Sequence, residues 1–215
     1  VFFGLRYSKE GLHSPFLNRT KFALFLNDKT QKAMTIEIEK TAPPSTLAAF
    51  LLWNPTDGFK YEWNDGELIK FTGMNKKQYF IYSILNKLFV KKGYTESGIL
   101  MAEPDVMLTG IQMRRPDIAY FTDNQILKGR EGEDVLPEFV IEIISETDQS
   151  YKVENKLTEY FKAGVKVVWN IIPDEKVVQV YQSRKNVTIC FDNDICSAAP
   201  VLPDFEIAVS TIFES

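Results

Sequence analysis

Residues 139–145 read Phe139-Val140-Ile141-Glu142-Ile143-Ile144-Ser145. The run is almost wholly apolar and β-branched, the composition of a strand covered on both faces. A second apolar run follows at residues 166–172, and between the two, residues 148–163 carry a helical pattern that stops at Gly164. A strand, a helix of this length and a second strand make a βαβ crossover, so the two strands are expected to be parallel.

Glu142 lies in the middle of the first run. An ionised carboxylate inside an apolar strand is costly unless it is paired or bound to a metal. On a helical wheel the connecting helix buries Val153, Leu157, Tyr160 and Phe161, places Lys156 at the edge of that face, and turns Lys162 to solvent. Lys156 can therefore snorkel back over the sheet toward Glu142. Upstream, Asp117 opens a strand candidate at residues 118–121, with Pro116 fixing the backbone before it. Two carboxylates on neighbouring strand ends can converge on a hard cation such as Mg²⁺, and an ammonium beside them can position an attacking water or stabilise charge on phosphate. Each residue also has a plain structural reading: a Glu142–Lys156 salt bridge, an Asp117 turn or cap, a solvated lysine.

The remaining elements fall around this unit. Ser45 is expected to cap a short helix at residues 46–53. Residues 59–63 and 67–71 flank Asn64-Asp65-Gly66 as a hairpin. Asn75 caps a helix reaching about residue 92, with Gln78 on its apolar face beside Ile81, Tyr82 and Leu85, and Gly93 closing it. Short strands are expected at residues 99–103 and 106–108, a loop with at most a short helical turn at 123–138, a hairpin at 177–182 and 187–191, and a final strand and helical turn after Pro203.

Three of these segments together resemble a known family. They are Arg115-Pro116-Asp117-Ile118-Ala119, Pro137 through Ser145, and Lys156-Leu157-Thr158-Glu159-Tyr160 followed by Ala163-Gly164-Val165 and Trp169. They are similar to the Uma-two family of restriction-endonuclease-like proteins, within the PD-(D/E)XK nuclease superfamily, over roughly residues 46–205. The hairpin Tyr61 to Glu67 resembles that family's opening motif. The resemblance implies a restriction-endonuclease-like α/β core, a mixed central sheet flanked by helices, and a metal-dependent endonuclease acting on DNA with Mg²⁺ or Mn²⁺. It implies Asp117 and Glu142 as the acidic pair, with the Ile143 carbonyl completing the metal ligands. Ile144 stands where the superfamily usually has its lysine, and the family's displacement of that lysine to the next helix implies Lys156. Similar members often carry a histidine near the start of the first long helix, where this chain has Gln78. Glu62 and Glu67, on the hairpin, are weaker candidates for the site. The rival function is a non-catalytic DNA-binding or protein-interaction module on the same scaffold.

Composition bounds these readings. The 215 residues are 45% hydrophobic and 25% charged, ordinary for a globular domain. A net charge of −4 argues against a general nucleic-acid coat, whose affinity rests on phosphate neutralisation. Arg114-Arg115, Lys91-Lys92 and Lys128-Gly129-Arg130 are small basic groups that either meet phosphates or are solvated surface. No apolar run is long enough to span a bilayer and no secretory leader is recognisable, so no membrane partner is expected. Cys190 and Cys196, with five residues between them, fit neither metal spacing nor a disulfide framework, which makes a cytoplasmic setting the expectation. Residues 1–33 lack sustained periodicity and hold the only histidine, His13, so they are read as an N-terminal extension to a domain at residues 34–215. A symmetric homodimer is expected on general grounds.

Overall fold

A computed structural model describes residues 19–24, 34–39 and 42–213. Its elements in chain order are β1 (Arg19–Leu24), β2 (Met34–Glu39), α1 (Leu47–Leu52), β3 (Lys60–Asn64), β4 (Glu67–Phe71), α2 (Lys76–Lys91), β5 (Gly98–Ala102), β6 (Val106–Thr109), β7 (Gln112–Arg114), β8 (Ile118–Thr122), α3 (Asp123–Arg130), β9 (Phe139–Ile143), α4 (Ser150–Ala163), β10 (Val167–Ile172), β11 (Val177–Ser183), β12 (Asn186–Phe191), β13 (Ile195–Ala198), β14 (Leu202–Ala208) and α5 (Val209–Phe213).

Six strands form the central sheet in the order β12-β11-β10-β9-β8-β5. β9 and β10 are parallel, with Val167 opposite Phe139 and Asn170 opposite Glu142; every other neighbouring pair is antiparallel. The sheet is mixed, and the predicted crossover through α4 is its only parallel step. Alternation along β9 and β10 sends Phe139, Ile141, Ile143, Trp169 and Ile171 into one apolar layer, with Leu85 and Phe89 of α2, Phe205 of β14 and Ile212 of α5. Val140 and Val168 enter the opposite layer, under Leu157 and Tyr160 of α4.

A smaller sheet, β4-β3-β7-β6, packs Tyr61 and Trp63 against Phe50 of α1. The β3–β4 hairpin turns through Asp65 and Gly66, both at positive φ (46° and 90°), as a two-residue type I′ turn requires. α4 ends where Gly164 takes φ 115°, a left-handed conformation that lets its N–H and that of Val165 return to the last turn.

Several local expectations are corrected. Thr46, not Ser45, caps α1, its hydroxyl accepting from the Ala49 N–H. The segment after β8 is not a loop: residues 123–130 form α3, opened by a capping box between Thr122 and Gln125. Lys128-Gly129-Arg130 is accordingly the last turn of that helix. Strands β7 and β13, which have short and mixed sequences, were not expected. Gln78 belongs to the capping box of α2 with Asn75, and is only half-buried rather than part of the apolar face. Met34 opens β2, which pairs antiparallel with β1 from the other side of the expected boundary. The rest of the expected extension at residues 1–33, His13 included, lies outside the described residues. No described helix is long and apolar enough to cross a membrane.

Candidate active site

Glu142 sits on the α4 face of β9, 8% exposed. Two side chains one helical turn apart on α4 answer it. Lys156 Nζ lies 3.1 and 3.3 Å from its two carboxylate oxygens, and the Tyr160 hydroxyl donates to Oε1 at 2.5 Å. Positions i and i+4 share a face of a helix, so one turn of α4 delivers both donors. The partner that the apolar strand demanded of Glu142 is therefore supplied twice.

Lys156 has a second acceptor. Glu62 of β3, 3% exposed, holds Lys156 Nζ at 3.0 Å through Oε1, and the same oxygen accepts the Arg115 N–H at 2.9 Å. Its other oxygen accepts from Arg114 Nη1 at 3.0 Å. Arg114 in turn donates through Nε and Nη2 to Glu159 Oε2 at 2.7 and 2.6 Å. The charges alternate from Glu142 through Lys156, Glu62 and Arg114 to Glu159, which returns to α4. This chain fastens the small sheet to the crossover helix. Arg114 is thus a buried structural cation, not the solvated or phosphate-facing residue expected.

Asp117 precedes β8 on the far side of Glu142. Its Oδ2 accepts the Ile143 N–H at 2.7 Å. The Ile143 carbonyl accepts from Gln78 Nε2 at 2.8 Å, while Gln78 Oε1 takes the Asn75 N–H. The main chain of Ile143 is therefore held at both its N–H and its carbonyl, in two successive peptide units, and Gln78 ties the first turn of α2 to the site.

The electrostatics follow from crowding. Burial, then the charge of Glu142, push the Asp117 carboxyl up to about 8, against the pull of the Ile143 N–H and Lys156. Glu142 is raised chiefly by burial, with Lys156 and Tyr160 opposing. Glu62 is lowered, because Lys156 and Arg114 outweigh its burial. Lys156 is raised: burial works against its charge, but Glu142, Glu62 and Asp117 override it. Lys156 therefore remains an ammonium near neutral pH and serves as a donor, not as a base.

These groups line an open cleft of about 860 Å³ between α4, the β3–β4 hairpin and the N-terminus of α2. Asp117, Glu142, Lys156, Ile143, Gln78 and Glu62 all meet there. Glu67 is exposed on the rim and makes no ion pair among the described residues. Lys91, Lys92, Lys128 and Arg130 are exposed and do not line the cleft. The sequence reading missed Arg114, Glu159 and the Tyr160 hydroxyl as parts of the network; Glu159 and Tyr160 lie three and four residues after Lys156, the spacing that signals a shared helix face.

Could the residues hold a cation? Among the described residues no three His, Cys, Asp or Glu side chains are grouped as a metal site. The donors here are two carboxylates and a carbonyl, all hard oxygens, which suits Mg²⁺ or Mn²⁺. Counting charges supports the fit. Four carboxylates (Asp117, Glu142, Glu62, Glu159) face two cations (Lys156, Arg114), and the crowding keeps on Asp117 a proton that a bound cation would displace.

Comparison with known proteins bears on the fold and the family. No curated protein matches the chain. A solved structure described as a "putative nuclease belonging to DUF820" from Anabaena variabilis ATCC 29413 superposes with a TM-score of 0.63 at 23% identity, covering 79% of this chain and 98% of that one. That likeness concerns the fold, a mixed sheet flanked by helices consistent with a restriction-endonuclease-like core. The family model described as Uma2, "Putative restriction endonuclease", matches residues 47–210, from the first residue of α1 into α5, and the chain belongs to the Uma2 family.

Proposed function

We propose that the chain is a metal-dependent endonuclease that hydrolyses phosphodiester bonds of DNA. One observation carries this reading: Asp117 and Glu142, two buried carboxylates crowded on neighbouring strands, meet Lys156 and the hard oxygen of the Ile143 carbonyl on the wall of an open cleft. Asp117, Glu142 and the Ile143 carbonyl would hold Mg²⁺ or Mn²⁺. When bound, such an ion supplies Lewis-acid activation of water and phosphate.

The chain's own groups do the rest. Glu142 and Asp117 line the cleft together; Asp117 holds the Ile143 N–H and Gln78 holds the Ile143 carbonyl. The Lys156 ammonium holds Glu142 and Glu62 and also lines the cleft, where it would orient the nucleophile and offset developing negative charge. Tyr160 fixes the Glu142 carboxylate from below.

The test is substitution. Asp117→Ala, Glu142→Ala and Lys156→Ala should each abolish Mg²⁺-dependent cleavage of DNA while circular dichroism remains that of the folded protein. Undiminished cleavage in all three overturns the reading.

A specific observation favours the rival, a non-catalytic module that binds DNA or protein: both oxygens of Glu142 already have donors in Lys156 and Tyr160. Calorimetry with Mg²⁺ or Mn²⁺ separates the two, since a self-compensated scaffold takes up neither ion. We place the working unit in residues 34–215. A cytoplasmic setting, which the free buried thiols of Cys190 and Cys196 suit, and a symmetric homodimer complete the proposal.

A further inference from the structure

Asn170 is a polar side chain of the cleft that the mechanism above leaves unused. It interrupts the apolar strand β10 and is 3% exposed. In parallel register it faces Glu142 of β9. Across the next step Ile118 faces Ile141, so Asp117, one residue before Ile118, continues the row beyond Glu142. Asp117, Glu142 and Asn170 therefore form one line across three adjacent strands, each about 4.8 Å from the next. The neighbouring line on that face is Ala119, Val140, Val168 and Tyr181, which pack in the apolar layer under α4. The polar line begins where that layer stops, on the wall of the cleft, which Asn170 lines.

No described residue makes a hydrogen bond to the Asn170 amide, even though Gln179 faces it from β11 and instead accepts from Tyr181. Yet among the described residues no sealed-off side-chain nitrogen or oxygen lacks a partner. Both hold only if the Asn170 amide keeps its remaining surface toward the cleft. An amide set in an apolar strand without a protein partner destabilises the fold relative to an aliphatic side chain. It is available to water or to a ligand entering the cleft.

We propose that Asn170 is a substrate-contacting residue, its Nδ2 donating to a non-bridging oxygen of the phosphodiester. This rests on the reading of the cleft as a phosphodiester-cleaving site. Non-bridging phosphate oxygens only accept hydrogen bonds. Asp117 and Glu142 offer them none when ionised, and the Lys156 ammonium is shared with two carboxylates. Asn170 is the neutral donor in the row, with both N–H bonds uncommitted among the described residues.

Asn170→Val and Asn170→Asp test this in the full chain. Three readouts are taken: thermal unfolding without nucleic acid, affinity for a DNA oligonucleotide with Ca²⁺ in place of Mg²⁺, and kcat and KM for cleavage with Mg²⁺. Asn170→Val is expected to raise Tm and to lower kcat/KM about tenfold, the worth of one hydrogen bond, chiefly through KM and with a parallel loss of oligonucleotide affinity. Asn170→Asp adds a negative charge beside the phosphate and should lower affinity further. An Asn170→Val protein with undiminished affinity and kcat/KM overturns the proposal while leaving the nuclease reading intact. So does a fall in its Tm, which would make Asn170 a structural residue. Wild-type protein that neither binds nor cuts DNA overturns the nuclease reading, and this inference with it.

Discussion

Phe139, Ile141 and Ile143 leave β9 on one face of the central sheet; Val140 and Glu142 leave it on the other. The first face meets Trp169, Phe89 and Phe205, whose rings pack edge-on or tilted, with only the Trp169 indole N–H of these three donating outward, to the Ser197 carbonyl. The second face is apolar only as far as Val140 and Val168, and then turns into carboxylates, an ammonium and an amide. One strand thus serves two purposes. The aromatic layer is held by area removed from water, which tolerates small shifts. The charged side is held by pairings that fail when one member is removed.

That contrast can be broken from either side. The largest effect is expected in the aromatic layer: Phe205→Ala should cost about 4 kcal/mol, read by urea unfolding, since the ring is fully buried among four others. Protein that remains folded should keep its affinity for Mg²⁺. On the charged side, Glu62→Ala takes from both Lys156 and Arg114 one of their two carboxylate partners and should cost about 3 kcal/mol. A double variant with Arg114→Met should recover part of that loss, as a thermodynamic cycle would reveal.

The next effect has the opposite sign. In the unfolded chain Asp117 ionises near its ordinary value of 3.8, whereas in the fold it does so at about 8. Between these values the folded protein holds the extra proton, so without metal its stability falls as pH rises, by at most about 1.4 kcal/mol per pH unit. Asp117→Asn can keep the oxygen that accepts from Ile143 and cannot ionise. It should therefore be about 2 kcal/mol more stable than wild type at pH 7 in EDTA, a gain that disappears below pH 4. Equal stabilities at pH 7 would show that Asp117 carries no such burden. The smallest effect is at Gln78. Gln78→Ala removes one half of a capping box and the bond to Ile143, and should lower stability by about 1 kcal/mol while weakening Mg²⁺ binding. Loss of stability with unchanged Mg²⁺ affinity would confine Gln78 to its capping role.

How much of this could be read in advance differs between the same two faces. The aromatic layer and the crossover were legible because long apolar runs and a helical period announce themselves over many residues. Glu142 was legible as one charge in such a run, and Lys156 as the cation that one turn of helix could bring to it. Asn170 carries the same signal, one polar residue in the apolar run of β10, and could have been found in the same way. Arg114 could not, and Glu62 was legible only as a weaker candidate on the hairpin, not as its partner. Their burial depends on each other across 52 residues and on Glu159, 45 residues beyond Arg114, and no local pattern encodes such a meeting. α3 was missed for a different reason: its body is polar, and only Thr122 and Gln125 mark its start.

The clamp on the Ile143 peptide bears on how this site tolerates mutation. Its carbonyl is offered to the cleft by the main chain, so any residue at position 143 that suits the apolar layer presents the same oxygen. Selection at that position sees the side chain, which faces the aromatic layer. On the proposed reading, the role of that oxygen is inherited through its holders instead. Gln78, 65 residues away, holds the carbonyl itself, and Asp117, 26 residues away, holds the N–H of the same residue. A mutational scan would score position 143 as core and position 78 as a helix cap, and the contribution of that carbonyl would be assigned to neither.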